Sequence, residues 1–208
     1  MAKTEKKAAA AEHPSNRGKI LKAAAQLFRR QGFHGTSTRR IAEKAGVSLG
    51  NIYNHFPNKE DLFATLMQTL EAEYFRPGQP LMRAFTETAF PDNLEALGKA
   101  CGDTVDRFPD YLRLVYVDIV EFDGKHIGRI FQGMRERYAA VLKSKGPGLS
   151  RPLAPWVDPV HAMMMAVWSF NNYFTVERLF GVKGHYGMKD DEVIRFFSKV
   201  FREGILPK

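Results

Sequence analysis

Side chains that can recognise DNA are concentrated in residues 36–56, which read TSTRRIAEKAGVSLGNIYNHF. Asn51 and Asn54 carry amides that can offer paired donors and acceptors to the edges of bases. Three hydroxyl side chains stand where a helix would begin, and hydroxyls beside free backbone N–H groups can hold a phosphate. The hydroxyl-bearing residues are Thr36, Ser37 and Thr38. These residue types predict recognition of a nucleic-acid groove.

The apolar residues of the same stretch predict two short helices that position those side chains. The apolar faces consist of Ile41, Ala42 and Ala45 on the first helix and of Ile52, Tyr53 and Phe56 on the second. Gly46 lies where the first helix must stop and reverse, a position that favours positive φ. Ser48 is placed to cap the second helix. Together these features predict a helix-turn-helix.

Flanking segments complete a small N-terminal domain. A helix is predicted from an N-cap at Ser15 to about Gln31, where Gly32 ends it, and it closes a three-helix unit. Another helix is predicted from Lys59 to about Phe75, with acidic residues in its first turn. The predicted divisions are a flexible basic arm over residues 1–14, a helix-turn-helix domain over 15–60 and a larger domain over 61–208.

The positive charge of the chain belongs to the segment that carries the helix-turn-helix. The formal net charge is +8. Residues 1–60 hold twelve lysines and arginines against four glutamates, whereas residues 61–208 hold nineteen side chains of each sign. Because basic side chains displace counterions from phosphates, this asymmetry indicates a polyanionic partner for the N-terminal domain.

The larger domain is predicted to be an all-helical bundle, since no stretch alternates as a strand would and no internal repeat is present. The predicted helices cover approximately residues 79–89, 92–107, 110–123, 125–144, 158–181 and 190–204. The segment 158–181 is hydrophobic on more than one face, which is typical of a helix buried by its own domain and by a second subunit. The sequence therefore predicts an all-α protein with two helical domains.

Eight residues of the larger domain are candidates to line a cavity for an apolar or aromatic small molecule. Aromatic and methionine side chains suit such a cavity because they combine flat area with adaptable packing. An ordinary packed helical core is the alternative for each of them. The candidates are Tyr111, Tyr116, Phe122, Phe131, Met134, Met164, Trp168 and Asn171.

Enzyme, metal and membrane functions have no support in the sequence. It contains no glycine-rich phosphate loop, nucleophile elbow or metal-binding histidine pair. Asp118, Glu121, Asp123 and His126 lie close in sequence, but acidic and histidine residues at a helix junction are more typical of caps and ion pairs than of a ligand set. The lone Cys101 fits a reducing cytoplasm, and no apolar run is long enough to span a bilayer.

The run TSTRRIAEKAGVSLGNIYNHFPNKEDLF resembles the N-terminal signature of tetracycline-repressor-type (TetR family) transcriptional regulators. The resemblance covers roughly residues 15–63, and the remainder is similar to the family only in length and helical character. It implies an all-α homodimer whose two reading helices enter successive major grooves of a palindromic operator. It also implies an effector pocket in the C-terminal bundle, a dimer interface formed by the helices at 158–181 and 190–204, and no cofactor.

The resemblance also implies which residues contact DNA. Tyr53, His55 and Lys59 match the positions of phosphate contacts in the family. Leu49 departs from the lysine or small polar residue that many members carry, so it bears on which base pairs are read. The full set of implied DNA-binding residues is Thr36, Ser37, Thr38, Arg39, Arg40, Ser48, Leu49, Gly50, Asn51, Tyr53, Asn54, His55 and Lys59.

The expected function is therefore that of a repressor released from its operator by a small molecule. Three alternatives remain: a sequence-indifferent architectural DNA-binding protein, an activator, and a regulator that needs no effector. The architectural alternative predicts a steep salt dependence with little difference between DNA sequences.

Overall fold

A computed structural model of the protein describes residues 15–143 and 148–207, which form eleven α-helices and one π-helical turn at Thr175–Leu179. The helices are α1 (Asn16–Gln31), α2 (Thr38–Ala45), α3 (Leu49–His55), α4 (Lys59–Tyr74), α5 (Pro80–Glu87), α6 (Leu94–Arg107), α7 (Pro109–Phe122), α8 (Gly128–Gln132), α9 (Met134–Lys143), α10 (Pro159–Phe174) and α11 (Asp190–Ile205). Within these ranges the only strand-like pairing is an isolated bridge between Phe90 and Leu149. The all-α prediction is confirmed. The predicted arm at residues 1–14 lies outside the described residues.

The chain divides into two compact units, an N-terminal unit that ends at Leu66 and a C-terminal unit that begins at Met67. The division falls within α4, one to two turns beyond the boundary expected after residue 60. Aromatic rings form the centre of the N-terminal unit. Phe28 lies 5.5 Å from Phe33 and 5.4 Å from Phe63, measured between ring centroids.

Serine caps and a left-handed glycine define the helices of the N-terminal unit, as the sequence predicts. The Oγ atoms of Ser15, Ser37 and Ser48 each accept a hydrogen bond from the backbone N–H three residues later, at 3.2, 3.2 and 3.1 Å. These bonds satisfy N–H groups that have no partner within their own helix. Gly46 ends α2 at φ 67°, in the left-handed region that a β-carbon disfavours.

The C-terminal unit is built around α6 and α10, which approach each other closely. Gly98 and Gly102 on α6 face the rings of Phe170 and Phe174 on α10. A β-carbon at Gly98 would lie 2.9 Å from Cε1 of Phe170, which is inside van der Waals contact. The two glycines therefore allow the helices to pack at short distance.

The prediction of one helix over residues 125–144 is wrong, because a loop and two shorter helices occupy this segment. The loop is fixed by Asp118, whose buried carboxylate accepts hydrogen bonds from the backbone N–H groups of His126 and Ile127 at 3.1 and 2.8 Å. The His126 ring also places Nδ1 against the Asp118 carboxylate. Gly133 then separates α8 from α9.

A similar arrangement follows α10, where the predicted helix at 158–181 ends in the π-helical turn. Glu177 in this turn accepts hydrogen bonds from the backbone N–H groups of Gly184 and His185, and it contacts Nδ1 of the His185 ring at 2.8 Å. Burial opposes ionisation of Glu177, but these hydrogen bonds outweigh it and hold the pKa of the carboxyl below its usual value. The buried carboxylate therefore holds the loop between α10 and α11.

Candidate nucleic-acid interface

The surface of α3 presents polar side chains in the way a reading helix must. Ile52 points into the core, whereas Tyr53, Asn54 and His55 are exposed, with 51% of Tyr53 accessible. Leu49 and Gly50 at the start of the helix are also exposed. One face of α3 therefore anchors the helix while the other is available to a groove.

The start of α2 lies on the surface with two arginines. Ser37 is exposed as the cap, and Thr38 is half-buried. Arg40 donates a hydrogen bond to Oε1 of Gln31 at 2.7 Å, which holds its guanidinium along α1. Arg39 is exposed and has no partner among the described residues. Arg39 is thus the arginine whose charge is left for an outside anion.

Thr36 is placed differently from the expectation that its hydroxyl holds a phosphate. The residue is completely buried, and its hydroxyl donates to the carbonyl oxygen of Gly32 at 2.8 Å. This bond closes the turn between α1 and α2. The side chain therefore supports the turn from within and does not reach the surface.

Lys59 also has an internal role that the sequence did not reveal. Its Nζ donates hydrogen bonds to the carbonyl oxygens of Phe33 and Thr36, each at 2.9 Å, and lies 4.1 Å from the centroid of the Phe33 ring. The ammonium thus ties the first residue of α4 to the turn before α2. A cation at this position satisfies the Thr36 carbonyl and gives a second donor to the Phe33 carbonyl, which also accepts from the Thr36 N–H at 3.2 Å.

The two asparagines of α3 differ in exposure, although both were expected to meet bases. Asn54 is exposed. Asn51 is half-buried, and its Oδ1 is enclosed without a hydrogen-bond partner in the described part of the chain. Asn54 is therefore the more accessible of the two asparagines.

A second basic surface of the N-terminal unit was not singled out from the sequence. Lys19, Lys22 and Lys44 line a groove of about 250 Å³ between α1 and α2, with Ala23, Gln26 and Ala45 as its other walls. None of the three lysines has an ion-pair partner within residues 15–143 and 148–207. The i, i+3 spacing of Lys19 and Lys22 on a predicted helix was the available signal.

The residues predicted to line an effector cavity are distributed over separate places in the C-terminal unit. Tyr111 is buried against Tyr74, with ring centroids 5.3 Å apart, and burial raises the pKa of its phenol. Phe122 packs on the His126 ring at 4.9 Å. The half-buried residues are Met134, Met164 and Asn171. The exposed residues are Tyr116, Phe131 and Trp168.

Three of the candidates are exposed in the described chain. Trp168 is 61% accessible and contacts only the edge of Phe131 among the aromatic rings described, at 5.9 Å. Tyr116 meets Phe180 at 5.5 Å. Helical periodicity placed these residues on one side of their helices but could not show that this side is uncovered. An open groove of about 340 Å³ between α5 and α6 contains none of the eight candidates.

Metal and membrane sites were also considered in the described ranges. No group of three or more histidine, cysteine, aspartate or glutamate side chains there is arranged to hold a metal ion. No helix in those ranges has the length and apolar character needed to cross a bilayer.

Comparisons with known proteins agree with this geometry. Residues 20–66 match the family described as "Bacterial regulatory proteins, tetR family". The chain is 27% identical to the HTH-type transcriptional regulator RutR of Escherichia coli O157:H7 in an alignment of 210 positions that covers 91% of this chain and 90% of RutR. It is 39% identical to the HTH-type transcriptional repressor KstR2 of Mycobacterium tuberculosis over 54 residues, covering 26% of this chain and 27% of KstR2.

Solved structures share the fold over nearly the whole chain. The crystal structure of a TetR-like transcriptional regulator from Rhodococcus sp. RHA1 superposes with a TM-score of 0.62 at 18% identity. The match covers 94% of this chain and 98% of that protein. At this identity the likeness concerns the fold, and it extends well beyond the three-helix segment that the family match covers.

Proposed function

Because the chain belongs to the TetR family of bacterial transcriptional regulators, which bind DNA and are not enzymes, we propose that it is a homodimeric repressor. It binds a palindromic operator on chromosomal DNA in the cytoplasm and is released when a small apolar or aromatic molecule binds the C-terminal unit. The observation that carries the proposal is the exposed polar face of α3. This face belongs to a unit that also has an excess of unpaired cations.

The structure supports a division of roles among the candidate DNA contacts. Tyr53, His55 and Arg39 are exposed and meet phosphates, while Asn54 offers its amide to a base edge in the major groove. Thr36 and Lys59 act indirectly, because their polar groups are engaged within the unit and set the position of α2. The other surface residues assigned from the resemblance remain candidates: Ser37, Thr38, Arg40, Ser48, Leu49, Gly50 and Asn51.

Dimerisation through α10 and α11 is supported by apolar side chains on their outer faces. On α10, Met163 and Phe170 are buried while Met165 and Trp168 on the other side of the helix are exposed. Phe196 and Val200 form a similar exposed pair one turn apart on α11. A palindromic operator requires two matched reading heads, and a two-fold dimer supplies them.

The effector proposal is supported by the aromatic interior of the C-terminal unit. Tyr74 and Tyr111 are buried side by side, and neither hydroxyl has a hydrogen-bond partner among the described residues. Their rings offer a flat apolar surface on which an aromatic ligand can pack, and their hydroxyls can donate hydrogen bonds to it. A ligand that favours the non-binding form of the protein would then lower the affinity for DNA.

The proposal is tested by selecting genomic fragments, including the region upstream of the gene itself, with the purified full chain. Selection is done at moderate salt with excess competitor DNA. We expect a discrete site with two-fold symmetry that an Arg39→Ala variant binds more weakly. Diffuse, salt-sensitive binding with no preferred sequence would contradict a specific repressor and favour the architectural alternative. A reporter gene placed behind the selected site then distinguishes repression from activation.

A further inference from the structure

Helix α7 exposes an apolar face that the proposed dimer of α10 and α11 does not use. Tyr116, Ile119 and Val120 occur at i, i+3 and i+4, so they lie together on one side of the helix. Val120 is 78% accessible. The opposite side of α7 is anchored by Tyr111, Leu114 and Asp118, which are buried. Isolated exposed apolar residues are ordinary, but a continuous face of them marks an interaction surface.

This face of α7 is continuous with the exposed face of α10. Phe180, just beyond the π-helical turn that extends α10, meets Tyr116 at 5.5 Å between ring centroids. Nearer the start of α10, Trp168 meets Phe131 of α8 at 5.9 Å. Since α7 leads into α8 through a short loop, these two contacts join consecutive helices to α10 and to the π-helical turn that extends it. The seven side chains of what we call the α7–α10 patch are Tyr116, Ile119, Val120, Phe131, Met165, Trp168 and Phe180.

The size of the exposed surface favours a large symmetric interface. From the exposed fractions of their side chains, Met165, Trp168, Phe196 and Val200 contribute about 500 Å² of apolar surface per protomer. A dimer limited to these residues leaves another ~500 Å² open on α7, α8 and Phe180, near the largest patch seen on typical monomers. A dimer that covers both surfaces buries about 1,000 Å² of apolar area per protomer, which is in the range of obligate homodimers.

We propose that a second copy of this chain covers the whole α7–α10 patch, so that α7 and α8 are part of the dimer interface together with α10 and α11. This inference rests on the proposed dimer and deepens it. A two-fold interface presents the same patch from both protomers, and apolar surfaces without fixed charges are self-complementary in this way. It also gives Trp168, Tyr116 and Phe131 an interface role in place of the ligand-binding role expected from the sequence.

The test measures dimer dissociation of the full chain by sedimentation equilibrium for the wild type and three variants. Val120→Glu introduces a charge on α7, Val200→Glu introduces one on α11, and Leu149→Glu is the matched control at an exposed apolar residue beside Phe90. We expect Val120→Glu and Val200→Glu each to raise the dimer dissociation constant on the order of 100-fold or more, because an unpaired charge is buried twice in a symmetric interface. Leu149→Glu should leave it unchanged.

The outcomes separate this inference from the dimer on which it rests. If the wild type is monomeric at all accessible concentrations, the dimer and the role of α7 both fail. If Val200→Glu dissociates the dimer while Val120→Glu does not, the dimer stands and a second copy does not cover α7. Hydrogen exchange of residues 116–122 in the wild type provides a readout that needs no variant. Exchange should slow as concentration rises through the dissociation constant, and exchange independent of concentration would overturn the inference.

Discussion

In the N-terminal unit, five lysines and arginines have no partner among the described residues, whereas five arginines of the C-terminal unit are held by carboxylates. The unpaired residues are Lys19, Lys22, Arg30, Arg39 and Lys44. The shortest of these pairs in the C-terminal unit are Arg76–Glu73, Arg83–Glu87, Arg137–Glu71, Arg151–Asp92 and Arg178 with Asp106 and Asp190. The C-terminal unit also holds cations without a partner among the described residues, such as Lys99, Arg107 and Arg195. The difference is that residues 61–208 carry as many acidic as basic side chains, whereas residues 1–60 carry few acids to offset their cations.

The apolar surfaces of the two units differ in the opposite sense. Most exposed large apolar side chains lie in the C-terminal unit, while the N-terminal unit contributes Leu49 and Tyr53 on its reading helix. A surface of free cations suits a partner made of phosphates, and a surface of uncharged rings and aliphatic groups suits a protein partner. The comparison agrees with the proposal that the N-terminal unit binds DNA and the C-terminal unit binds a second protomer.

Reversing one charge in each unit should give the largest difference in DNA affinity between two variants. Arg39→Glu should lower operator affinity about 100-fold at physiological salt, since it removes a phosphate contact and adds repulsion. Arg83→Glu, which reverses an arginine on α5, should change affinity less than about twofold because that residue belongs to the C-terminal unit and is paired with Glu87. Fluorescence anisotropy with a labelled operator measures both. Equal losses for the two variants would mean that net charge, and not its location, governs binding.

Removing the internal cation of the N-terminal unit separates stability from DNA contact. Lys59→Met leaves the carbonyl group of Thr36 without its lysine donor and the carbonyl group of Phe33 with only the Thr36 N–H, and it should lower the free energy of unfolding by about 1–3 kcal/mol. Lys44→Met, which removes a surface cation without such bonds, should leave the free energy of unfolding within ~0.5 kcal/mol of the wild-type value. Chemical denaturation followed by circular dichroism checks both values. An unchanged midpoint for Lys59→Met would return Lys59 to the role of a direct phosphate contact.

A smaller change on α3 tests whether the Tyr53 hydroxyl contacts the phosphate backbone of the DNA. Tyr53→Phe should weaken binding about fivefold, the usual value of one hydrogen bond, and by the same factor for all DNA sequences. Stability should not change because the side chain is exposed. Parallel titrations with operator and scrambled DNA provide the measurement. A loss confined to the operator would show that Tyr53 reads bases.

The smallest effect concerns the acid that fixes a loop of the C-terminal unit. The folded state lowers the pKa of Glu177, so this group stabilises the fold above its unfolded pKa and loses that contribution as pH falls through the folded pKa. Glu177→Gln should therefore lower the melting temperature by about 2–4 °C at pH 7. The difference between variant and wild type should disappear in acid. If the difference in melting temperature stayed constant down to the lowest pH measured, ionisation of Glu177 would not contribute to stability.

The helix-turn-helix was predictable from sequence because its determinants are local. Ser48 caps a helix that begins at the next residue, and Gly46 ends a helix that precedes it. The functions of Thr36 and Lys59 were not predictable in the same way. Both are polar residues in a DNA-binding motif, and only the folded chain shows that their polar groups face backbone carbonyls instead of solvent.

Predictions for the C-terminal unit were limited by contacts between residues distant along the chain. The helix expected at 125–144 is interrupted because Asp118 captures backbone groups eight and nine residues later. Trp168 fits a core position by residue type, yet the core is filled by Met163, Phe170 and their neighbours on the other side of α10. Periodicity identifies the faces of a helix, but it does not say which face another element covers.

The glycines that let α6 and α10 approach closely also limit which substitutions this sequence can accept during evolution. At Gly98, a side chain of any size would collide with the Phe170 ring and with Ile194, which lies 3.0 Å from the position of a β-carbon. A neutral path to alanine would first require a smaller residue at position 170 or 194. Gly98 is thus a position where we expect single mutations to be removed by selection, a restriction that does not apply to the exposed residues of α6.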